Sequence, residues 1–249
     1  MESREGPRIN KYLSTAGVAS RRAADRIVSD GRVTINGRIA VLGDRVSPGS
    51  VVCLDGKTVE IEKDKVVLIL NKPRGITCTS DSNDRDNVID YINYPKRIYS
   101  VGRLDKDSQG LLVMTNDGDF ADRIMRSRYG HEKEYIVTVD KTVTDDFLNR
   151  MMKGVRITEE RVTRNCKAEK LDDCVFRIIL RQGLNRQIRR MCDVLGYVVV
   201  KLVRVRVMNL ELNDLKEGMY RDITKNERKE LYDILDSSEL QSKDDEDGR

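Results

Sequence analysis

The 249-residue chain is poor in the residues that build metal centres and redox sites. It has one histidine, His131, and five scattered cysteines, Cys53, Cys78, Cys166, Cys174 and Cys192, with no CxxC pair. A structural zinc site would therefore lack ligands at workable spacing, and the thiols are expected to be reduced, mostly buried small hydrophobes. Long apolar runs are missing too. Stretches such as 66–70 and 198–200 fall far short of the ~20 residues of a spanning helix. The first six residues, Met-Glu-Ser-Arg-Glu-Gly, hold no apolar core of a secretory signal. No internal repeat is visible, and no glycine-rich phosphate loop follows a predicted strand. The expectation is a cytoplasmic, metal-free and cofactor-free protein with no membrane partner.

What the chain has is charge: 46 Lys+Arg against 42 Asp+Glu, a net +4. The balance is uneven. Residues 236–249 carry six acids (Asp236, Glu239, Asp244, Asp245, Glu246, Asp247) and two bases (Lys243, Arg249), a local −4 that leaves +8 on 1–235. This tail reads as disordered. Eight bases fall between 177 and 206 (Arg177, Arg181, Arg186, Arg189, Arg190, Lys201, Arg204, Arg206) against one acid, Asp193. A phosphate-binding surface needs such clustering, although charge runs are also ordinary solvated faces.

Three segments are expected: 1–62, 63–235 and the acidic tail 236–249. In the first, Ile9, Leu13 and Ala16 share one face of a short helix ending at Gly17. Ser20 can cap a second helix over 21–30, closed by Gly31. Asn36-Gly37 and Asp55-Gly56 are hairpin-turn signals. In the second segment, strands are predicted over 66–70, 98–101, 111–115, 135–139, 175–180 and 198–207. Helices are predicted over 87–92, 119–126, 144–153, 185–195 and 225–235, the last with a Thr224-x-x-Glu227 capping box. Strand and helix do not alternate regularly, so the fold class is α+β.

Three stretches could carry chemistry: Asn71-Lys72-Pro73-Arg74-Gly75, Gly102-Arg103-Leu104-Asp105-Lys106-Asp107-Ser108-Gln109-Gly110, and Gly183-Leu184-Asn185-Arg186-Gln187-Ile188-Arg189-Arg190-Met191. In the last, Ile188, Met191, Cys192 and Leu195 form an apolar stripe, and Arg186, Arg189 and Arg190 project at the helix N-terminus, where anions are favoured. Those guanidiniums can bind phosphate or pair with a carboxylate.

The helix–helix–hairpin unit with Arg8, Lys11, Arg21, Arg22 and Arg26 resembles the S4 RNA-binding domain. It departs from relatives at Ala23, where Glu is frequent in Ser-Arg-Arg-Glu; the loss removes a capping-box partner for Ser20. The Gly-Arg-Leu-Asp-x4-Gly, Lys133-Glu-Tyr135 and Asn-Arg-Gln-Ile-Arg-Arg-Met motifs resemble the RsuA/RluB/E/F class of pseudouridine synthases, closest to its RluF branch. The likeness spans 8–235. It implies a small S4 domain before a mixed, largely antiparallel catalytic sheet with flanking helices. It also implies isomerisation of a uridine in large-subunit (23S) ribosomal RNA, with a tRNA anticodon as a further target and small-subunit RNA as runner-up. No cofactor is implied, and a monomer is expected.

In such enzymes the uracil leaves C1′ through N1, rotates and rejoins through C5. The resemblance assigns the acting carboxylate to Asp105 rather than Asp107. Arg189 is the candidate guanidinium that keeps it ionised. Tyr135 would stack on the uracil, and Arg103 would fill the space left by the flipped-out base. Further RNA contacts are expected from Leu104, Lys106, Asn185, Arg186, Gln187, Ile188, Arg190 and Lys72, and from Arg8, Lys11, Arg21 and Arg22. Whether Asp105 attacks C1′, attacks C6 or removes a sugar proton is open at this level. A non-catalytic S4-type RNA-binding or ribosome-associated protein is the alternative. A nucleotide-dependent ligase would need a phosphate loop that is missing.

Overall fold

The computed structural model describes residues 6–81, 83–126 and 130–247, and the chain divides into two compact units. The smaller takes Met1–Val66 with Pro95–Arg97 and Asn116–Gly118; the larger takes Val67–Tyr94, Ile98–Thr115 and Asp119–Arg249.

The smaller unit runs α1 (Ile9–Thr15), α2 (Arg21–Ser29), β1 (Val33–Ile35), β2 (Arg38–Ile39), β3 (Val52–Leu54) and β4 (Lys57–Thr58), with sheet order β2-β1-β3-β4. Each helix buries one i, i+4 pair, Ile9 with Leu13 and Ala24 with Val28, against Val33, Ile35, Val46 and Val52. The Ser20 hydroxyl accepts the Ala23 N–H at 3.2 Å, so alanine at 23 removes only the reciprocal half of the capping box. Asn36 and Gly37 (φ 50° and 81°) and Asp55 and Gly56 (φ 50° and 76°) each place two successive left-handed residues in a turn, the requirement that selects Asn-Gly and Asp-Gly.

The larger unit contains β5 (Val67–Lys72), α3 (Val88–Ile92), β6 (Tyr99–Val101), β7 (Gln109–Thr115), α4 (Gly118–Met125), β8 (Lys133–Val139), α5 (Asp145–Met152), β9 (Arg156–Thr158), β10 (Arg161–Val162), β11 (Lys167–Asp172), β12 (Val175–Leu180), α6 (Gln187–Val194), β13 (Val199–Val207), β14 (Leu210–Glu211), β15 (Tyr220–Asp222) and α7 (Lys225–Asp247). The main sheet runs β11-β12-β8-β13-β7-β5-β15, with β6 on β7 and β14 on β13. Among the described residues β13 and β7 are parallel and the other pairs antiparallel, the expected mixed sheet of an α+β fold. β11 escapes a pattern reading because Lys-Ala-Glu-Lys-Leu-Asp is an exposed edge with no apolar alternation.

Two cores flank the sheet. Val67, Ile69, Leu111 and Val113 pack with Phe120 of α4 and Leu231 and Leu235 of α7. Val137, Phe176, Ile178 and Leu202 pack with Phe147 and Met151 of α5 and Ile188, Met191 and Cys192 of α6. All five cysteines are free; Cys78 and Cys192 are buried and the other three half-buried. Burial pushes the Cys166 thiol up to about 11 and Cys192 to about 12, which keeps both protonated and unreactive.

The tail corrects an expectation. Instead of disordered chain from 236, α7 continues to Asp247; Gly248 and Arg249 lie outside the described residues. The helix starts well: Thr224 accepts the Glu227 N–H at 3.1 Å while Glu227 accepts the Thr224 N–H at 2.7 Å. No glycine or proline interrupts 225–247, and Asp236 pairs with Arg123 of α4. Among the described residues no helix is long and apolar enough to cross a membrane.

Candidate active site

The loop between β6 and β7 is held by two bonds to the 75–78 segment and one turn bond of its own. Gly75 donates its N–H to the Lys106 carbonyl at 2.8 Å, Leu104 donates to Cys78 Sγ at 3.3 Å, and Ser108 donates to the Asp105 carbonyl at 3.0 Å. Gly110, where β7 meets β13, has φ +102°, and a Cβ there would lie 2.2 Å from the Arg204 carbonyl oxygen. Only glycine permits that approach of two backbones. The Arg204 side chain is itself 3% exposed. Its Nε donates to the Leu111 carbonyl at 2.7 Å and its Nη1 to the Arg103 carbonyl at 3.4 Å, fastening the loop's start to the strand that follows it.

This loop walls a cavity of about 520 Å³, shared with Lys133 and Tyr135 of β8, Leu202 and Arg204 of β13, and residues 180–188. Asp105 lines it; exposed Asp107 does not. Tyr135 is half-buried and stands opposite Ile178 on one side and Arg204 on the other. His131, also on the wall, is buried, and that burial lowers its pKa below the ordinary histidine value. The volume suits a small planar ligand, and Leu104, Ile188, Leu202 and Val207 supply apolar wall.

Among the described residues the guanidinium paired with Asp105 is that of Arg186, with Nη1 3.9 Å from Oδ2. Arg186 is the N-cap of α6 and holds φ 50°, a left-handed conformation rare for a non-glycine residue. Arg189 was expected in this place. Instead its Nη2 donates to the Asp107 carbonyl at 3.1 Å and its Nη1 to the Val199 carbonyl at 3.2 Å. Its direction along α6 brings it to the loop's backbone, so it braces the segment carrying Asp105. Burial lowers its pKa, reinforced by Arg186 and Arg74 and opposed by Asp105 and Asp107.

Several expected RNA contacts turn inward. Lys72 is fully buried, out of reach of a phosphate, and donates to the Pro73 and Ile76 carbonyls at 2.8 and 2.7 Å, which closes the 73–76 turn. Burial lowers its pKa, with Cys78, Asp105 and Asp107 opposing. Gln187 is buried, accepting the Leu184 N–H at 3.1 Å. Ile188 belongs to the core, and Leu104 is 7% exposed; both shape the cavity wall without reaching outward. Exposed Lys106 pairs with Asp86 at 2.8 Å. Arg103, Asn185, Arg186 and Arg190 are exposed, with Arg190 donating to Asn185 at 3.2 Å.

The basic cluster between 177 and 206 proves to be divided. Glu132 takes Arg181 and Arg206 at 3.1 and 3.2 Å; Glu134 takes Arg206 and Arg177 at 2.8 and 3.4 Å. These bases neutralise carboxylates on β8 and its approach, while Arg186, Arg190 and Lys201 remain as exposed cations. In the smaller unit Arg8, Arg21 and Arg22 are exposed, and Lys11 is half-buried. Arg21 and Arg22 open α2 side by side.

Residues 66–193 match the family described as RNA pseudouridylate synthase, and residues 7–52 match the S4 domain. The chain is 48% identical over 238 residues to the dual-specificity RNA pseudouridine synthase RluF of Escherichia coli (strain K12), covering 95% of this chain and 82% of the relative. It is 37% identical to the ribosomal large subunit pseudouridine synthase B of Bacillus subtilis (strain 168), covering 92% and 97%. A crystal structure of a pseudouridylate synthase, 30% identical, superposes with a TM-score of 0.66 over 90% of this chain and 99% of that one.

Proposed function

The chain belongs to the RNA pseudouridylate synthase family, with an S4 domain ahead of the catalytic one, and we propose that the uridine it isomerises lies in large-subunit ribosomal RNA. The relatives support that substrate: one is named for the ribosomal large subunit and another for dual specificity. The second name supports a further target, for which a tRNA anticodon loop fits the reading. We take Asp105 as the acting carboxylate, and the observation that carries this is its place on the cavity wall with Tyr135, with Arg186 alongside.

In this reading the target uridine leaves its stack and enters the cavity, an unstacking that costs a few kcal/mol. Exposed Arg103 at the mouth stands ready to fill the gap left in the RNA. The base lies against the Tyr135 ring, which limits its rotation to its own plane. The Asp105 carboxylate meets the sugar or the ring while the uracil turns from N1 to C5 linkage. Arg186 stands 3.9 Å from that carboxylate as its counter-charge, and Arg189 fixes the loop that presents it. Exposed Arg186 on the cavity wall and exposed Arg190 and Lys201 take phosphates of the substrate, and Arg8, Lys11, Arg21 and Arg22 take phosphates of structured RNA.

A purely RNA-binding role would have no use for a carboxylate recessed beside a tyrosine in a cavity of nucleoside size. Mapping pseudouridines in RNA from cells with and without the protein tests the reading. One large-subunit site, alone or with a tRNA site, should vanish in its absence; an unchanged large-subunit map would contradict the assignment.

A further inference from the structure

Lys133 opens β8 two residues before Tyr135, so the period-two alternation of a strand sends both side chains to one face. Both line the cavity that contains Asp105. The Lys133 Nζ makes one hydrogen bond, to the His131 carbonyl at 3.2 Å, and among the described residues it meets no carboxylate. Its neighbours Glu132 and Glu134 are held by Arg181, Arg206 and Arg177. The charge closest to it in effect is the buried guanidinium of Arg204 on β13. Burial and that like charge push the Lys133 amine down to about 8.

Lys133 is half-buried, and an ammonium partly withdrawn from water is costly to keep without a counter-charge. Near neutral pH it is protonated, and among the described residues two of its N–H groups have no protein acceptor. The other charged or titratable groups on the cavity wall are Asp105 and Arg103 from the β6–β7 loop, Arg126 after α4, Arg181 and Arg186 beyond β12, and His131 beside it. Asp105 is the single carboxylate among them, and among the described residues it is paired with Arg186. The cavity therefore offers a spare positive charge at the level of the tyrosine ring.

We propose that Lys133 is a catalytic residue of the isomerisation, donating a hydrogen bond to a uracil carbonyl oxygen and stabilising the negative charge on the ring when the N1–C1′ bond breaks. The inference rests on the reading of the preceding section. On cleavage the electron pair of N1–C1′ stays with the ring and spreads onto its carbonyl oxygens. C5 then supplies a pair for the C5–C1′ bond, its proton leaves, and N1 takes up one proton. Atoms and charge balance with no co-reactant, and Lys133 stays protonated throughout. A fixed donor aimed at charge that develops only in the reaction accelerates it typically 10²–10³-fold.

The sign of the pH dependence follows. The active form is the ammonium, so the single-turnover rate should be level at neutral pH and fall about tenfold per unit above the Lys133 pKa near 8. The test uses the full-length chain with in vitro transcribed 23S ribosomal RNA under single-turnover conditions from pH 6.5 to 9.5, with RNA affinity measured alongside. Lys133→Met should lower the rate at pH 7 about 100-fold, keep its RNA affinity and lose the alkaline fall. Lys133→Arg, which keeps the charge, should recover part of the rate and stay level to pH 9.5. Thermal melts show whether each variant is folded, and if Met is not tolerated Lys133→Gln replaces it. An equal rate in a folded uncharged variant, or a loss confined to affinity as a phosphate contact would give, overturns the inference. A wild-type chain that forms no pseudouridine overturns the reading it rests on instead, and the two failures are thus distinct.

Discussion

Arg186 Nη1 lies 3.9 Å from the carboxylate of Asp105, and the backbone that brings it there is left-handed, at φ 50°. A guanidinium at the first turn of α6 is thereby turned toward the β6–β7 loop, at a conformational cost of about 1–2 kcal/mol for a residue with a Cβ. Three residues on, Arg189 spends its hydrogen bonds on the carbonyls of Asp107 and Val199. Two arginines of one motif thus divide the work: one faces the carboxylate, and the other holds the chain that carries it.

Arg186→Gly should separate activity from stability. Glycine adopts the left-handed backbone without strain and serves well enough as an N-cap, so thermal stability should hold or rise slightly. The rate should fall about tenfold, the equivalent of ~1.4 kcal/mol, because Asp105 loses the cation paired with it. A variant with unchanged single-turnover rate would show that the 3.9 Å pair has no part in catalysis.

Arg189→Met should behave in the opposite order. Loss of two charge-assisted bonds to backbone carbonyls costs about 1–3 kcal/mol of stability, read as a lower midpoint in denaturant. Activity should fall as well, since the Asp107 carbonyl anchors the loop of Asp105. Were stability unchanged and the rate alone reduced, Arg189 would be acting on Asp105 or the RNA directly.

The S4 surface makes a prediction in salt rather than in rate. Arg21 and Arg22 are exposed at the start of α2. Replacing both by Ala should weaken RNA binding and flatten the log–log salt dependence by about 1 for each phosphate that is no longer neutralised. Equal slopes in titrations of wild type and variant would assign both side chains to solvent.

Much of this architecture is legible in the residues, and the misses have physical reasons. β12 lies where the apolar run 175–180 predicts a strand, with Phe176, Ile178 and Leu180 buried, and the Asn-Gly and Asp-Gly turns fall where their left-handed backbone is needed. Motif likeness names positions but not directions. Gln187 and Ile188 sit in an arginine-rich motif, yet the helical stripe that includes Met191 and Cys192 turns them into the core. Lys72 is charged and lies beside a turn, but its ammonium closes that turn from inside. The spacing of Lys133 from Tyr135 sets both on one strand face and is legible; that the amine meets no carboxylate among the described residues is visible only in the structure. The left-handed Arg186 has no sequence signal, because a Gly-Leu-Asn-Arg run is compatible with several helix starts. The extension of α7 runs through an acidic stretch whose composition suggests disorder, but the absence of helix breakers lets the helix continue.

The most direct test of the account is the single-turnover formation of pseudouridine by Asp105→Asn, mapped on 23S ribosomal RNA by carbodiimide-adduct primer extension. Asparagine preserves the size of the side chain and removes its charge. The variant should form no pseudouridine above background while its RNA affinity stays within about twofold of wild type, less than ~0.5 kcal/mol. Modification at the wild-type rate by the Asn variant would contradict it and move the chemistry away from Asp105.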